Sequence, residues 1–267
     1  MGKVHSCPLP LEVVRTSFVI SDVHALYSHK PALEIFFKIA SIYKKNCDLK
    51  IIGDLADVDY FMPKTEQYQT WIGRKDGIDE FFIPEYEKEM VWLNQFFDRA
   101  HPVFDRKDYM LGNHENRWIQ VLHSMPHHSH HLFNYKKDIN AEGRGLNIYP
   151  YNDWLDYGKN LTFTHGQSHS ASSAHNNHYK LSGGRSVIFG HIHNYDVRSY
   201  SVREETHQVI SLPCMSTKNP SYLKGQENNW SWGFMILNML PNGNFFWNVV
   251  IIKDDMTILP SGKIVRP

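Results

Sequence analysis

The sequence predicts an α/β protein. Two patterns carry the expectation. Short apolar segments of strand length alternate with segments whose apolar residues recur at helical spacing. Five of the apolar segments also run straight into small clusters of polar, metal-capable residues. In open α/β sheets, sites form beyond the carboxyl ends of the strands, so such ends can converge on one edge of a sheet.

The elements follow in order. Residues 17–20 (Ser-Phe-Val-Ile) read as a short buried strand ending at Ser21-Asp22. Residues 31–45 read as a helix: Pro31 suits a first turn, Leu33, Phe36, Phe37, Ala40 and Tyr43 recur at helical spacing, and Lys44-Lys45 favour a C-terminus. Residues 49–52 are a second buried strand, ending at Gly53-Asp54. The stretch 58–83 is aromatic, irregular and rich in glycine and charge, so a loop or insertion is expected there. From Pro84 onward, Tyr86, Met90, Leu93 and Phe97 advance by four, three and four, the mark of an amphipathic helix. A strand at 108–111 ends at Gly112-Asn113. Strands at 146–149, 161–164 and 186–189 follow, the last two running into His165-Gly166 and Gly190-His191. After residue 195 the pattern turns β-rich, with strands at 195–203, 207–212, 232–239 and 245–252 and a Pro-Asn-Gly turn at 241–243. No Pro/Gly/Ser linker separates this tail, so a single domain over residues 1–267 is expected, with the tail in the second sheet of the fold.

Composition narrows the function classes. With 267 residues the chain can bury one large core. Lys plus Arg and Asp plus Glu are 28 each, so net charge gives no argument for nucleic acid or an acidic membrane as partner. Cys7, Cys47 and Cys214 are odd in number and far apart, which implies no disulfide framework or paired-cysteine zinc site and suits a reducing interior. The first residues lack the apolar core of a signal peptide. No apolar run nears the ~18 to 20 residues that span a bilayer. A cytoplasmic protein without a membrane partner is expected. Seventeen histidines is a high count, and histidine is the commonest protein ligand of transition metals.

The clusters at the strand ends are Asp22-x-His24, Gly53-Asp54, Gly112-Asn113-His114-Glu115, His165-Gly166 and Gly190-His191-Ile192-His193. Each has a bland reading alone: Asp22 and Asp54 as turn chemistry, Asn113 as a left-handed turn residue, His165 as a satisfied core histidine. Together they change the balance. Two ions at ~3.5–4 Å need mixed oxygen and nitrogen ligands with one group shared. A carboxylate can bridge, while an imidazole or an amide oxygen binds one ion. The neighbouring glycines let the backbone turn sharply enough for the side chains to meet.

In this order the five blocks, from about Ser21 to His193, resemble the calcineurin-like metallophosphoesterases. Gly-Asp-Leu-Ala-Asp57 keeps that family's second block, and Ile192 takes the middle place of the last. Gly-Asn-His-Glu-Asn-Arg117, a long helical insert before it and a late Asn229-Trp230-x-Trp-Gly-Phe234 look like the members encoded by bacteriophages and prophages, which implies the cytoplasm of a bacterial host.

The resemblance implies a four-layer sandwich of two mixed β-sheets flanked by helices, with the metal site at the C-terminal ends of the strands. It implies Asp22, His24 and His193 as ligands of one ion and Asn113, His165 and His191 as ligands of the other. Asp54 matches the bridging carboxylate and His114 the catalytic histidine that binds neither ion. The reaction implied is two-metal hydrolysis of a phosphomonoester or phosphodiester by a hydroxide held between the ions, with His114, as imidazolium, protonating the leaving oxygen. Mn²⁺ is the first expectation, and Fe²⁺, Zn²⁺, Ni²⁺ and Co²⁺ suit the mixed ligands too. The substrate is a phosphate ester, with nucleotide or nucleic acid among the candidates. A nuclease or nucleotide phosphodiesterase, a protein phosphatase and a non-catalytic scaffold are the alternatives.

Arg117 and Asn113 are candidate phosphate contacts. The Arg117 guanidinium can grip a phosphate with two hydrogen bonds, or be a surface arginine paired with an acid. The histidines His123, His127, His128, His130 and His131 read as a solvated loop at the rim of the site. His169, His175 and His178 read as a solvated helix face, with His169 close enough in sequence to reach substrate. Trp230 is a further candidate for the cleft wall.

Overall fold

Along residues 15–20, Phe18 and Ile20 face one way and Val19 the other, and this period of two sorts the interior into layers. The structure is a computed structural model and describes residues 2–7, 15–43, 46–61, 78–124, 134–168, 170–217 and 228–267. Its elements run β1 (Val4–Cys7), β2 (Arg15–Ile20), α1 (Lys30–Ala40), β3 (Cys47–Ile52), α2 (Ile78–Ala100), β4 (Arg106–Met110), α3 (Asn113–Ser124), α4 (Tyr135–Asp138) and β5 (Leu146–Tyr149). They continue with β6 (Trp154–Tyr157), β7 (Leu161–Thr164), α5 (Ala171–Leu181), β8 (Ser186–Phe189), β9 (Asp196–Val202), β10 (Glu205–Ser211), β11 (Trp232–Met239), β12 (Phe245–Ile252), β13 (Thr257–Ile258) and β14 (Ile264–Val265).

Two six-stranded sheets result, ordered β12-β11-β2-β3-β4-β5 and β1-β6-β7-β8-β10-β9. Both are mixed. In the first, β2, β3, β4 and β5 are parallel neighbours while β11 runs antiparallel to β2 and β12. In the second, β8 is parallel to β7 and β10, and β6 and β9 are antiparallel to their neighbours β7 and β10. Val19, Ile52, Phe163, Ile188 and Leu237 fill the space between the sheets. On the outer face of the first sheet, Phe18 and Leu49 pack with Phe36 of α1 and Phe97 of α2. On the outer face of the second, Val187 and Phe189 pack with Ala174 of α5. The layers are therefore helix, sheet, sheet, helix, as expected. Among the described residues no helix is long and apolar enough to cross a membrane.

Several predicted boundaries move. The first helix ends at Ala40 and continues only as a 3-10 turn, Ser41–Tyr43; Lys44 and Lys45 lie outside the described residues. The stretch 58–83 is not all loop: it holds a 3-10 turn at Asp59–Phe61, and α2 begins at Ile78 with Pro84 inside it. A proline inside a helix costs about 3 kcal/mol, but each fully buried apolar side chain returns ~1.5–3 kcal/mol. Phe82, Tyr86, Leu93 and Phe97 are all buried, so packing holds the helix through the proline. Strand β4 starts at Arg106, before the expected 108, and its two charged first residues find partners: Arg106 donates to Asp108 at 3.0 Å and Lys107 to Phe104 O at 3.1 Å. Strands β1 and β6 carry no pattern that the sequence reading recognised. The β-rich tail does not add to one sheet only. Strands β9 and β10 extend the second sheet, and β11 and β12 extend the first.

Candidate metal centre

Strands β2, β3 and β4 of one sheet and β7 and β8 of the other end at the same edge, and the turns after them carry the predicted residues. Three groups of ligand-capable atoms lie there within 4.8 Å of one another: Asp22, His24 and His193; Asp54, His165 and His191; and His24, Asp57 and His114. The first two are the sets expected from the sequence, with Asn113 joining the second.

Local backbone makes this convergence possible. Asp22 (φ 53°), His24 (53°), Asp54 (48°), His191 (71°) and His193 (57°) all hold left-handed conformations, which L-residues seldom adopt. Main-chain bonds between the turns hold them: the Val23 and His24 N–H groups both donate to Asp54 O at 2.9 Å, and the Met215 N–H donates to Asp22 O at 3.1 Å. Gly112 allows a close approach, since a Cβ on it would lie 2.0 Å from Asp54 Oδ1.

Around the first group, His193 Nε2 lies 3.1 Å from Asp22 Oδ1 and 3.3 Å from His24 Nε2. The ring of Trp230 sits against His193, centroids 4.1 Å apart. Around the second, His165 Nδ1–H donates to Ile52 O at 2.9 Å, which aims its Nε2 at the cluster. That Nε2 lies 3.2 Å from Asp54 Oδ2. One end of the Asn113 amide is 2.9 Å from His165 Nε2, 3.3 Å from Asp54 Oδ2 and 2.8 Å from His191 Nδ1. With its NH₂ there, the amide donates to all three; with its oxygen there, four acceptors face one another, a set that a cation satisfies.

The electrostatics agree with a cation site. Burial works against charge on His165 and His193, yet Asp54 pushes the first up to about 9 and Asp22 pushes the second up to about 10. Burial likewise works against ionisation of Asp54, but His165 and His114 hold its carboxyl well below the usual range. The carboxylates thus draw positive charge to the two places where the ligand groups converge. Mixed carboxylate, amide and imidazole donors fit a divalent transition metal.

His114 stands beside both groups. Its Nδ1–H donates to Asp57 O at 2.6 Å, and its Nε2 lies 3.9 Å from Asp54 Oδ2. Burial pushes it down to about 3 although Asp54 opposes this, so in the free protein the ring is neutral at neutral pH. The imidazolium expected from the sequence is therefore not its resting form. The Arg117 guanidinium lies against this ring, Nη1 being 3.2 and 3.3 Å from its nitrogens, and 3.9 Å from Asp59 Oδ1.

Three acids hold the turns in place, and sequence reasoning gave none of them a role. Glu115 accepts from the N–H groups of Gly112 (2.7 Å), Ala56 (2.9 Å) and Asp54 (3.2 Å) and from the Tyr109 hydroxyl (2.6 Å). Asp57 accepts from His24 Nδ1 at 2.7 Å. Glu89, on α2, accepts from the N–H groups of Asp57 and Val58. Burial pushes Glu115, Asp57 and Glu89 each up to about 7, with nearby carboxylates adding to it.

Other histidines fall elsewhere. His175 and His178 are not on a solvated face: both are buried, and His178 stacks on Phe189 with centroids 4.2 Å apart. The face of α5 that carries them is its inner one. His123 is exposed at the end of α3, while His127, His128, His130, His131 and His169 lie outside the described residues.

No family model matches the chain. The gene 54 protein of Mycobacterium phage L5 is similar to it, at 26% identity over 204 residues that span 70% of this chain and 75% of that protein. Among solved structures, zinc-complexed Vps29 from Entamoeba histolytica is similar with TM-score 0.43 and 9% identity, over 88% of this chain and 98% of that one. The calcineurin-like phosphoesterase YfkN from Bacillus subtilis is similar with TM-score 0.40 and 11% identity, over 90% of each chain. In its two-sheet sandwich and its converging motif blocks the chain resembles the calcineurin-like metallophosphoesterases. Its likeness to a phage protein accords with the phage-encoded type.

Proposed function

We propose that the protein is a metal-dependent phosphoesterase and that the cluster around Asp54 is its catalytic centre. One observation supports this above all: Asp22, His24 and His193 meet on one side, and Asp54, His165 and His191, with Asn113, meet on the other. We assign the first three to one ion, Asn113, His165 and His191 to a second, and Asp54 to both. Mn²⁺ is the first choice, with Fe²⁺, Zn²⁺, Ni²⁺ and Co²⁺ as further fits to the donor set. When bound, such ions supply the charge that polarises phosphoryl oxygens and makes water a nucleophile.

The chain's own residues do the rest. Because Asp57 O holds His114 Nδ1–H, the other ring nitrogen is the one presented to the site. It is placed to pass a proton to the leaving oxygen. The neutral resting ring gains that proton as the negative phosphate enters, since added negative charge raises an imidazole's affinity for protons. Arg117, half-buried against the same ring, provides donors for a phosphate oxygen, and Asn113 adds an amide at the same edge. Asp22 and Asp54 keep the cluster negative enough to hold divalent ions.

The test is hydrolysis of an aryl phosphodiester and an aryl phosphomonoester by Mn²⁺-loaded protein, with and without chelator, alongside metal analysis. Chelator-sensitive turnover of either ester is expected, and their ratio ranks diesterase against monoesterase. Tight metal binding with no turnover of either ester, under any of the five metals, would support the scaffold alternative instead.

A further inference from the structure

We infer that Glu89 is a positioning residue for this centre, acting through Asp57 to fix the orientation and tautomer of both His24 and His114. The inference deepens the phosphoesterase reading and rests on it. Glu89 lies on α2 three residues after Tyr86 and four before Leu93, on the helix face that enters the core. It is fully buried, at 0% exposure. A carboxylate on such a face is costly unless donors surround it. Here the donors come from one short segment: the N–H of Asp57, the N–H of Val58 at 3.2 and 3.3 Å, and the hydroxyl of Tyr60 at 2.9 Å.

What that segment holds gives the arrangement its meaning. Asp57 is bound to two histidines of the centre by different atoms. Its carboxylate accepts from His24 Nδ1 at 2.7 Å, and its carbonyl accepts from His114 Nδ1 at 2.6 Å. A carbonyl can only accept, so the His114 proton sits on Nδ1 and Nε2 faces the site. The same logic turns His24 Nε2 toward His193 Nε2, 3.3 Å away. Both orientations depend on where the Asp57 backbone lies. Val58 follows it with φ 47°, a conformation that is a genuine outlier for a β-branched side chain. Such a backbone persists only where its surroundings over-determine it. Glu89, accepting from the N–H groups of two successive peptide units, Ala56–Asp57 and Asp57–Val58, is the group that does so.

The experiment reads histidine tautomers by long-range ¹⁵N–¹H NMR in metal-free protein, wild type against Glu89→Gln. In the wild type His24 and His114 should each be a single Nδ1–H tautomer, and His165 should keep its Nδ1–H on Ile52 O. In E89Q an amide NH₂ replaces one acceptor and faces the backbone donors. His24 and His114 should then lose their fixed tautomer, while the Nδ1–H of His165 stays anchored on Ile52 O. A Mn²⁺ titration of the same variant should weaken the ion held by His24 by roughly 10- to 100-fold and leave the other unchanged. A merely structural role would disturb all three rings or none, so an unchanged His24 and His114 in E89Q overturns the inference. Should E89Q not fold, hydrogen exchange in the wild type decides: slow exchange of the Asp57 and Val58 amides is expected, and unprotected exchange overturns it. None of these readouts needs turnover. Fixed tautomers in a protein that hydrolyses nothing would support Glu89's role and remove only the phosphoesterase reading.

Discussion

Asp54 is the residue on which most of the centre converges: its carbonyl takes the N–H groups of Val23 and His24, and its carboxylate faces His165 and the N–H of His114. If it serves both ions, Asp54→Asn should do more damage than any other ligand change. Metal analysis should then find both ions weakened, and a variant with full metal content and full turnover would end the bridging assignment. His114 gives the opposite expectation. His114→Ala should leave metal content intact and lower turnover by roughly 10² to 10⁴, the usual scale for general acid–base catalysis. The loss should shrink for esters with good leaving groups; an equal loss across leaving groups of widely different pKa would count against the proton role. The aspartates, the histidines and Asn113 were legible because their residue types and chain order are chemically specific. Glu89 was not, because it stands alone on an apolar stripe and its partners, two main-chain N–H groups and the Tyr60 hydroxyl, leave no motif. Nor were the left-handed turns at Asp22, His24 and Asp54, since non-glycine residues there break the propensity rules on which sequence reading relies.

Adjacent strands β3 and β4 carry a lysine and an aspartate where a parallel sheet is expected to be apolar. Lys50 Nζ lies 2.8 Å from Asp108 Oδ2 and 4.2 Å from the centroid of the Tyr157 ring, and both charged side chains are buried. Arg106 and Asn147, at 3.0 Å each, and the Tyr149 hydroxyl, at 3.3 Å, also donate to the carboxylate. Burial opposes ionisation of Asp108, but Lys50 and then Arg106 outweigh it and hold its carboxyl below the ordinary value. A carboxyl depressed on folding adds stability that is complete above its unfolded pKa, near ~4, and is lost as pH falls through the folded value. Asp108→Asn should therefore cost about 3–5 kcal/mol at neutral pH, because it strands a buried lysine. In denaturant melts from neutral to acid pH, the gap between wild type and variant should narrow only below the unfolded pKa; a constant gap would show that the pair is not what stabilises these strands. The first two residues of β4, Arg106 and Lys107, fall outside the expected strand 108–111 because charged letters hide a strand start whose Arg106 pairs with Asp108. Strand β1 escapes a local reading for a different reason. It pairs in parallel with β6, so a run of four residues gains its stability from a partner about 150 positions away, which local pattern does not contain.

The whole molecule depends on its last third more evenly than the sequence indicated. Strand β10 lies between β8 and β9 in one sheet, and β11 lies between β2 and β12 in the other. Met235 of β11 is in register with Val19, and Val209 of β10 with Val187. Truncation after residue 200 would strip a flank from both sheets and expose Val19, Ile52 and Ile188 of the inner layer. An insoluble or unfolded fragment is expected; a soluble, cooperatively melting and metal-binding fragment would show that the tail is a separate module and that the chain is not one domain. The α/β class and the layer order were legible because strand ends, helix periods and motif order all pointed the same way. The division of the tail between two sheets was not, because nothing in an alternating strand names its partner. The two-sheet origin of the centre has a thermodynamic consequence of its own. Asp22, Asp54 and Asn113 follow strands of one sheet, and His165, His191 and His193 follow strands of the other, so ions held among them would act as rivets between the two halves of the sandwich. By mass action, a ligand that binds only the folded state adds about 2.7 kcal/mol at a hundredfold excess over its dissociation constant. Scarcity of metal would then loosen the joint between the sheets as well as silence the chemistry, and the melting temperature would serve as a gauge of how many rivets are in place.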